Sequence, residues 1–447
     1  MDTLSLTRSP HSLTSSPEPA HKHKATAVII GAGPAGLLAA SVLEGRTFLH
    51  AQKCSDGMHK HLGERQPIYR TDLPATFEGR RGQTPAGQWF DSFCYDQANN
   101  PIHCLTFENN PDRKVDWQLF SSSPAGGSWH RYNNDQLTIS PYAWMEIPGL
   151  PITDVKHYEC VNPQRTKTDA SSLRNYYQNY QQQLPAEAIH IGYTLTSASY
   201  KDSLWHLHFS SESHHHNMSC EHLLLAVGKQ APNRLNIQGE NGKHVTHSTA
   251  DSLAAFKKLP PGSNVLIVGT GLSAADTISH AWDHKLKVTH LVPAELIKEK
   301  ANYKSTSSSK ILMILQGLDK EYPRHNRVTG AMLNPASEKA YEQLIDYKLT
   351  KVCSDGSCIV THSKTQESKK LTPHHVATLT GSHPDFSFIE GQSEHESTLC
   401  FDHNTMEVNG FTNLYIAGSC SGDWFQRFIL GQSVQAAETI KSKSVPD

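Results

Sequence analysis

Two glycine-spaced turns carry the chemistry in this chain. Gly31-Ala32-Gly33-Pro34-Ala35-Gly36 fits G-x-G-x-x-G, and Gly269-Thr270-Gly271-Leu272-Ser273-Ala274 repeats it with alanine at the last place. Each position has a physical task in holding a dinucleotide. The first glycine makes a tight turn, the second lets a pyrophosphate approach the backbone, and the third small residue lets the helix pack close to its strand. Pro34 suits a first helical turn, where a missing N–H costs nothing. The N-terminus of each following helix offers unpaired N–H groups and a partial positive charge to a phosphate. Gly31, Gly33, Pro34, Ala35 and Gly36 are the first candidate binding set; Gly269, Gly271, Leu272, Ser273 and Ala274 are the second. Two dinucleotides in one chain imply electron transfer between them.

The flanking elements agree with this. Ala27–Ile30 is a short apolar, β-branched run that predicts a buried parallel strand, and Leu37–Leu43 continues as a helix. Asn264–Val268 repeats the strand. Thr47–Ala51 predicts a second strand, but Gln52 and Lys53 stand where an acid should meet the ribose, so that contact is unassigned. Residues 52–120 predict an irregular insertion. Ser171–Tyr180 predicts an amphipathic helix. Leu204–Phe209 alternates, with Trp205, Leu207 and Phe209 on one face, and Cys220–Val227 predicts its partner strand. Lys287–Val292 is a strand ending at Pro293 without an acid for a ribose 2′-hydroxyl; Lys298, Lys300 and Lys304 are the nearest cations, which favours NADPH over NADH. Leu414–Asp423 is a strand ending in small residues and an acid, followed by a helix over Phe428–Ile440.

Composition removes several classes. The 447 residues exceed one ordinary core. A hydrophobic content of 37% and a mean hydropathy of −0.51, with no apolar run of spanning length, predict no transmembrane segment. A formal charge of −2 gives no electrostatic case for nucleic acid or anionic lipid. Nine cysteines without a C-x-x-C pair, and no signal peptide, predict reduced thiols and a cytoplasmic location. Cys353 and Cys358, with four residues between them late in the second unit, do not make the vicinal dithiol that a disulfide reductase needs. The 28 histidines lie mostly in polar runs, and no metal site is expected. Residues 1–24, rich in Ser, Thr, Pro and His with two Ser-Pro pairs, predict a disordered leader.

Longer runs add a resemblance. PAGGSW (124–129) resembles the GGxW element of class B flavin-dependent monooxygenases. LLLAVG (223–228) before Pro232, and VATLTGSHP (376–384), are similar to the stretches where such chains leave and re-enter their first domain. GGSWH (126–130), YAWMEIPGL (142–150), NVLIVGTGLSAADT (264–277), GSHPDFSFI (381–389) and LYIAGSCSGDWFQRF (414–428) resemble the oxidative stress-induced growth inhibitor family within that class. The resemblance implies an α/β fold with two Rossmann-like dinucleotide-binding domains. The FAD domain is discontinuous (25–235 and 375–447), and an NAD(P)H domain (236–374) is inserted. It further implies FAD, NADPH and O2, with one oxygen atom passed to a small organic substrate through a flavin C4a-(hydro)peroxide. A link to cell growth or division comes with it. Gly127, Trp129, Gly228, Gly422 and Asp423 join the FAD set, with Asp423 accepting a ribityl hydroxyl; Asn133 and Trp144 are candidates for the flavin and oxygen pocket. The linker fingerprint of the class is only echoed, by Ile237-Gln-Gly239 and His244 or His247. Alternatives are N-hydroxylation of a small amine, and a flavin-binding regulatory scaffold with protein partners and no turnover. The sequence names neither the substrate nor the oligomeric state.

Overall fold

The computed structural model describes residues 23–51, 62–69, 84–96, 99, 101–159, 166–294, 323–392, 398–423 and 425–445. The expected leader up to residue 22, its Ser-Pro pairs, and Lys298, Lys300 and Lys304 lie outside these residues. The fold is α/β with two dinucleotide-binding units, as expected.

The first unit is built on a seven-stranded sheet. Lys24–Ile30 lies at its centre, parallel to Trp117–Ser121 on one side and His215–Leu225 on the other. Ile189–Ile191 extends one edge in parallel, and Leu414–Ile416 joins His215–Leu225 in parallel from the far end of the chain. Thr194–Lys201 and Leu204–Ser210 complete an antiparallel meander, in which Trp205 pairs with Cys220 and the predicted inward face of Trp205, Leu207 and Phe209 is buried. The second unit is a five-stranded parallel sheet ordered Val245–Thr246, His375–Thr378, Asn264–Val268, Lys287–Val292, Tyr341–Ile345. Ala231–Pro232 and Ser382–His383 pair antiparallel where the chain crosses between units. Because His375–Thr378 is part of the second sheet, the return crossing lies after Thr378 rather than at 374/375.

Three expectations change. Arg46–His50 is a strand, but it pairs antiparallel with Leu105–Asn109 outside the main sheet. The place beside Lys24–Ile30 belongs to Trp117–Ser121, which the expected irregular insertion had absorbed. That strand is buried along its whole length and so shows no alternation to read; its Gln118 is accommodated by bonding His190 (Nε2 to Oε1, 2.6 Å) and the Trp117 carbonyl. Cys104 is disulfide-bonded, with its partner outside the described residues, which corrects the expectation of wholly reduced thiols; the other six described cysteines are free.

The inserted segment has its own helix, Pro85–Asp91, which crosses the carboxy-terminal helix Gln426–Ser444 at close range. A Cβ on Gly87 would stand 2.4 Å from the Phe428 carbonyl oxygen, and one on Gly431 would stand 2.2 Å from that of Ala86. Arg427 locks the crossing. Its guanidinium donates from Nε and Nη2 to the two Asp91 oxygens, both at 2.5 Å, and from Nη1 to Asn99 at 3.0 Å. It lies 4.3 Å from the Tyr95 ring centre and 4.4 Å from that of Trp144. Burial pushes the Asp91 carboxyl up, and the Arg427 hydrogen bonds and charge oppose that shift. Removing one partner leaves the other charge buried, so Arg427→Met is expected to cost about 3–5 kcal/mol in denaturant unfolding. The double variant R427M/D91N is expected to recover part of that loss.

Candidate functional site

The first turn closes because Gly31 has no side chain. Its φ is +113°, and a Cβ there would sit 2.4 Å from the Ala226 carbonyl oxygen. Gly31 N donates to Phe120 O at 2.8 Å and Ala226 N donates to Ile30 O at 2.9 Å, so the three central strands end in register around the turn. Gly36 packs against the Gly31 carbonyl, where a Cβ would be 1.9 Å away. Gly33 differs: nothing lies within 4 Å of a Cβ built on it. The helix Pro34–Leu43 starts at Gly33 with no side chain capping its N–H groups. The second turn repeats this at its first two glycines and at its helix start, with Ala274 in the place of Gly36. A Cβ on Gly269 would meet Leu379 O at 2.2 Å, one on Gly271 would meet nothing, and Leu272–Asp283 starts without a side-chain cap. Open backbone in front of uncapped helix N-termini, twice, fits two pyrophosphates.

A cavity of about 680 Å³ connects the two regions. That volume suits a cofactor-sized ligand. Of the expected residues, Gly31, Gly33, Pro34, Ala35, Gly127, Trp129, Gly228, Leu272, Ser273 and Asp423 line it. Gly36, Gly269, Gly271, Ala274 and Gly422 shape the turns and helices without lining it. Trp144 lies outside the cavity, stacked on Arg427. Asn133 also lies outside it and bridges the two units, with Nδ2 3.2 Å from His280 Nε2 on the second helix. The loop carrying Gly127 and Trp129 is clamped by Arg174, whose Nη1 donates to the carbonyls of Trp129 (2.8 Å) and Tyr132 (3.3 Å). Arg174 stands on Ala170–Gln181, the predicted tyrosine-rich helix, which Asp169 caps.

The strand correction moves the place where a ribose contact is expected. The residues at the end of the sheet strand are Ser121, Ser122 and Ser123, and all three line the cavity. Hydroxyls therefore stand where a carboxylate is usual in this arrangement.

Other residues were not legible from motifs. Gln432, fully buried on the carboxy-terminal helix, accepts from Gly418 N (2.8 Å) and Ser421 Oγ (3.0 Å) and donates to Thr84 Oγ1 (3.2 Å) and Asp423 Oδ2. Asp423 Oδ2 also accepts from Thr84 N at 3.0 Å. Burial raises the Asp423 carboxyl, against these hydrogen bonds. Gln136 Oε1 is buried on the cavity wall and has no hydrogen-bond partner among the described residues. Both glutamines lie outside any spaced pattern, so no signal marks them in the sequence.

A model of the family described as pyridine nucleotide-disulphide oxidoreductase matches residues 120–418. Oxidative stress-induced growth inhibitor 1 of Mus musculus is 25% identical over 93% of this chain and 95% of its own length. Oxidative stress-induced growth inhibitor 2 of Homo sapiens is 25% identical over 93% of each chain. Among solved structures, bacillithiol disulfide reductase from Staphylococcus aureus aligns at a TM-score of 0.58 and 15% identity, covering 94% of this chain and 99% of that one. The ornithine hydroxylase of Pseudomonas aeruginosa aligns at 0.57 and 10% identity, covering 94% and 98%. The ornithine N-hydroxylase of Kutzneria, solved with reduced FAD, NADP+ and L-ornithine, aligns at 0.55 and 11%, covering 94% and 99%. The structural likenesses show the shared fold.

The second turn is braced from behind by a buried histidine. His290 Nε2 lies 2.7 Å from Gly269 O, and its Nδ1 lies 2.7 Å from the Tyr341 hydroxyl. A carbonyl only accepts, so Nε2 carries the proton and Tyr341 donates to Nδ1. Burial pushes His290 down to about 4. An unfolded histidine takes up a proton near pH 6.5, which the native state refuses until about pH 4. Stability from this group is therefore whole above pH 6.5 and lost as the pH falls towards 4. In His290→Phe the urea midpoint is expected to fall less between pH 7 and pH 4.5 than in the unsubstituted chain.

Proposed function

The chain belongs to the pyridine nucleotide-disulphide oxidoreductase family, and from that premise we propose that it is an FAD- and NADPH-dependent monooxygenase. NADPH, a proton, O2 and an organic substrate give NADP+, water and the oxygenated substrate. Bound flavin would supply the redox chemistry between nicotinamide and O2. The chain's own part is to hold, orient and exclude water. Gly33 and the Pro34–Leu43 N-terminus hold the FAD pyrophosphate, with Gly127 and Trp129 closing over it. Ser122 and Ser123 meet the adenosine ribose. Asp423 uses the oxygen left by Thr84 and Gln432 to accept a ribityl hydroxyl. Gly271, Leu272 and Ser273 receive NADPH.

One observation carries the choice of monooxygenase over disulfide reductase. The cavity joins both nucleotide regions, and no cysteine lines it among the described residues. Cys353 and Cys358 sit on an antiparallel hairpin of the second unit, Tyr347–Val352 with Cys358–His362, and both are free. Burial pushes the Cys358 thiol up to about 11, away from the thiolate that exchange requires. The growth inhibitor names of the full-length relatives support a tie to growth or division. A scaffold without turnover is the second reading, favoured by the absence of a ribose carboxylate at Ser121–Ser123.

The test is the flavin spectrum of the purified chain, taken with NADPH under argon and then with air admitted. Bound flavin that NADPH bleaches, with NADPH oxidation coupled to substrate oxygenation in air, is the expected result; bound flavin that NADPH leaves oxidised favours the scaffold. Gly33→Val is expected to lower flavin occupancy more than tenfold, because its side chain would fill the space the pyrophosphate needs. Retention of full flavin content in G33V would remove the assignment of the first turn.

A further inference from the structure

The cavity is not chemically uniform. Four charged side chains line it among the described residues: Lys229, Asp276, Asp385 and Asp423. Each belongs to a region with another task. Lys229 follows Gly228 at the strand end beside the first turn. Asp276 is on the second nucleotide helix. Asp385 precedes Phe388, whose carbonyl accepts from Ala198 N (2.7 Å), so this segment lies against the meander. Asp423 is held by Thr84 and Gln432.

Along residues 136–140, Met145 and the start of the carboxy-terminal helix no charged side chain lines the cavity: Arg427 is turned to Asp91, and the Lys167 ammonium donates to the Ile139 carbonyl. Leu137, Ile139, Met145, Phe425 and Ile429 face the cavity here. Ile139 is 50% exposed and Phe425 is 46% exposed, so two large apolar side chains meet water at the edge of one cavity. The side chains of Gln426 and Thr138 on this wall are already engaged. Gln426 Nε2 donates to Met145 O (2.6 Å) and its Oε1 accepts from the Tyr177 hydroxyl (2.9 Å), while Thr138 Oγ1 accepts from Thr168 N (3.3 Å). Gln136 Oε1 is not engaged: it is a buried amide oxygen with no partner among the described residues.

We propose that this wall receives an uncharged, mainly apolar organic molecule that donates one N–H or O–H hydrogen bond to Gln136 Oε1. The inference rests on the reading of the cavity as an oxygenation site and names its substrate class. An ammonium group placed here would lose its water and find no carboxylate on this wall. A neutral donor satisfies the amide oxygen and leaves its apolar body against Leu137, Ile139 and Phe425.

The experiment measures binding by calorimetry on the full chain, as purified, with thioanisole, 4-(methylthio)phenol and cadaverine. The phenol is expected to bind about fivefold tighter than thioanisole, the worth of one neutral hydrogen bond, and cadaverine is expected not to saturate. Gln136→Leu is expected to bind the two thioethers equally, with unchanged flavin content. Ile139→Glu, a substitution at a half-exposed position that leaves folding intact, is expected to weaken both thioethers about tenfold. Cadaverine binding tightest, or discrimination that survives in Q136L, would overturn the inference. So would loss of flavin in Q136L, which would give the amide oxygen to the cofactor. A chain that carries no flavin would sink the monooxygenase reading, and the ranking of the three probes would still decide this one.

Discussion

The structure depends on one close approach, that of the Gly31 turn to the Ala226 carbonyl. Three strands from distant parts of the chain end there: Lys24–Ile30, Trp117–Ser121 and His215–Leu225. A side chain at residue 31 would have to occupy the place of a main-chain oxygen that lacks any freedom to move away. Closing the turn this tightly is what aims the N-terminus of Pro34–Leu43 at the cavity, and a Cβ built on Gly33 would meet nothing within 4 Å. The second unit meets the same constraint with Gly269 against Leu379. Both open helix N-termini therefore follow from a packing requirement met before any ligand is considered.

The carboxy-terminal end supplies the other half of the first region. Gln432 reaches from its helix to the Gly418 amide, the Ser421 hydroxyl, the Thr84 hydroxyl and the Asp423 carboxylate. Its neutral amide can donate and accept at once, which suits a buried place where one neighbour is a carboxylate and another an N–H. Thr84 in turn begins the helix that Arg427 and Asp91 fix in place. The inserted segment is thus tied to Asp423 by a continuous set of hydrogen bonds, although it lies far from that residue in sequence.

Legibility in the sequence followed the physics of each element. The glycine turns were readable because backbone geometry forces residue type: only a missing Cβ fits at Gly31, Gly36 and Gly269. Leu204–Ser210 was readable because one of its faces is wet, and Ala170–Gln181 because its tyrosines recur at helical spacing. Trp117–Ser121 was not, since a strand covered on both sides loses its period, and Gln118 disguises its apolar character. The ribose contact stayed unassigned for the same reason: Gln52 and Lys53 follow a strand outside the main sheet, whereas Ser121–Ser123 end one inside it. Gln432 and Gln136 were invisible for a different reason: their roles depend on what surrounds them in space. Asn133 and Trp144 are marked only by a resemblance, and the structure gives them contacts with His280 and Arg427 outside the cavity.

The order of strands in the first sheet has a consequence for how the chain is made. Leu414–Ile416 and the helix after it are synthesised after the inserted unit, yet they complete the sheet begun at Lys24. The inserted unit has all its own strands once Thr378 has emerged. During synthesis the second unit can therefore fold as a whole while the first still exposes the apolar edge of Leu223–Leu225. The glycine turn at Gly31 waits until Leu414–Ile416 has emerged before its sheet is closed, and a chain released before that point would carry one finished α/β unit beside an open sheet.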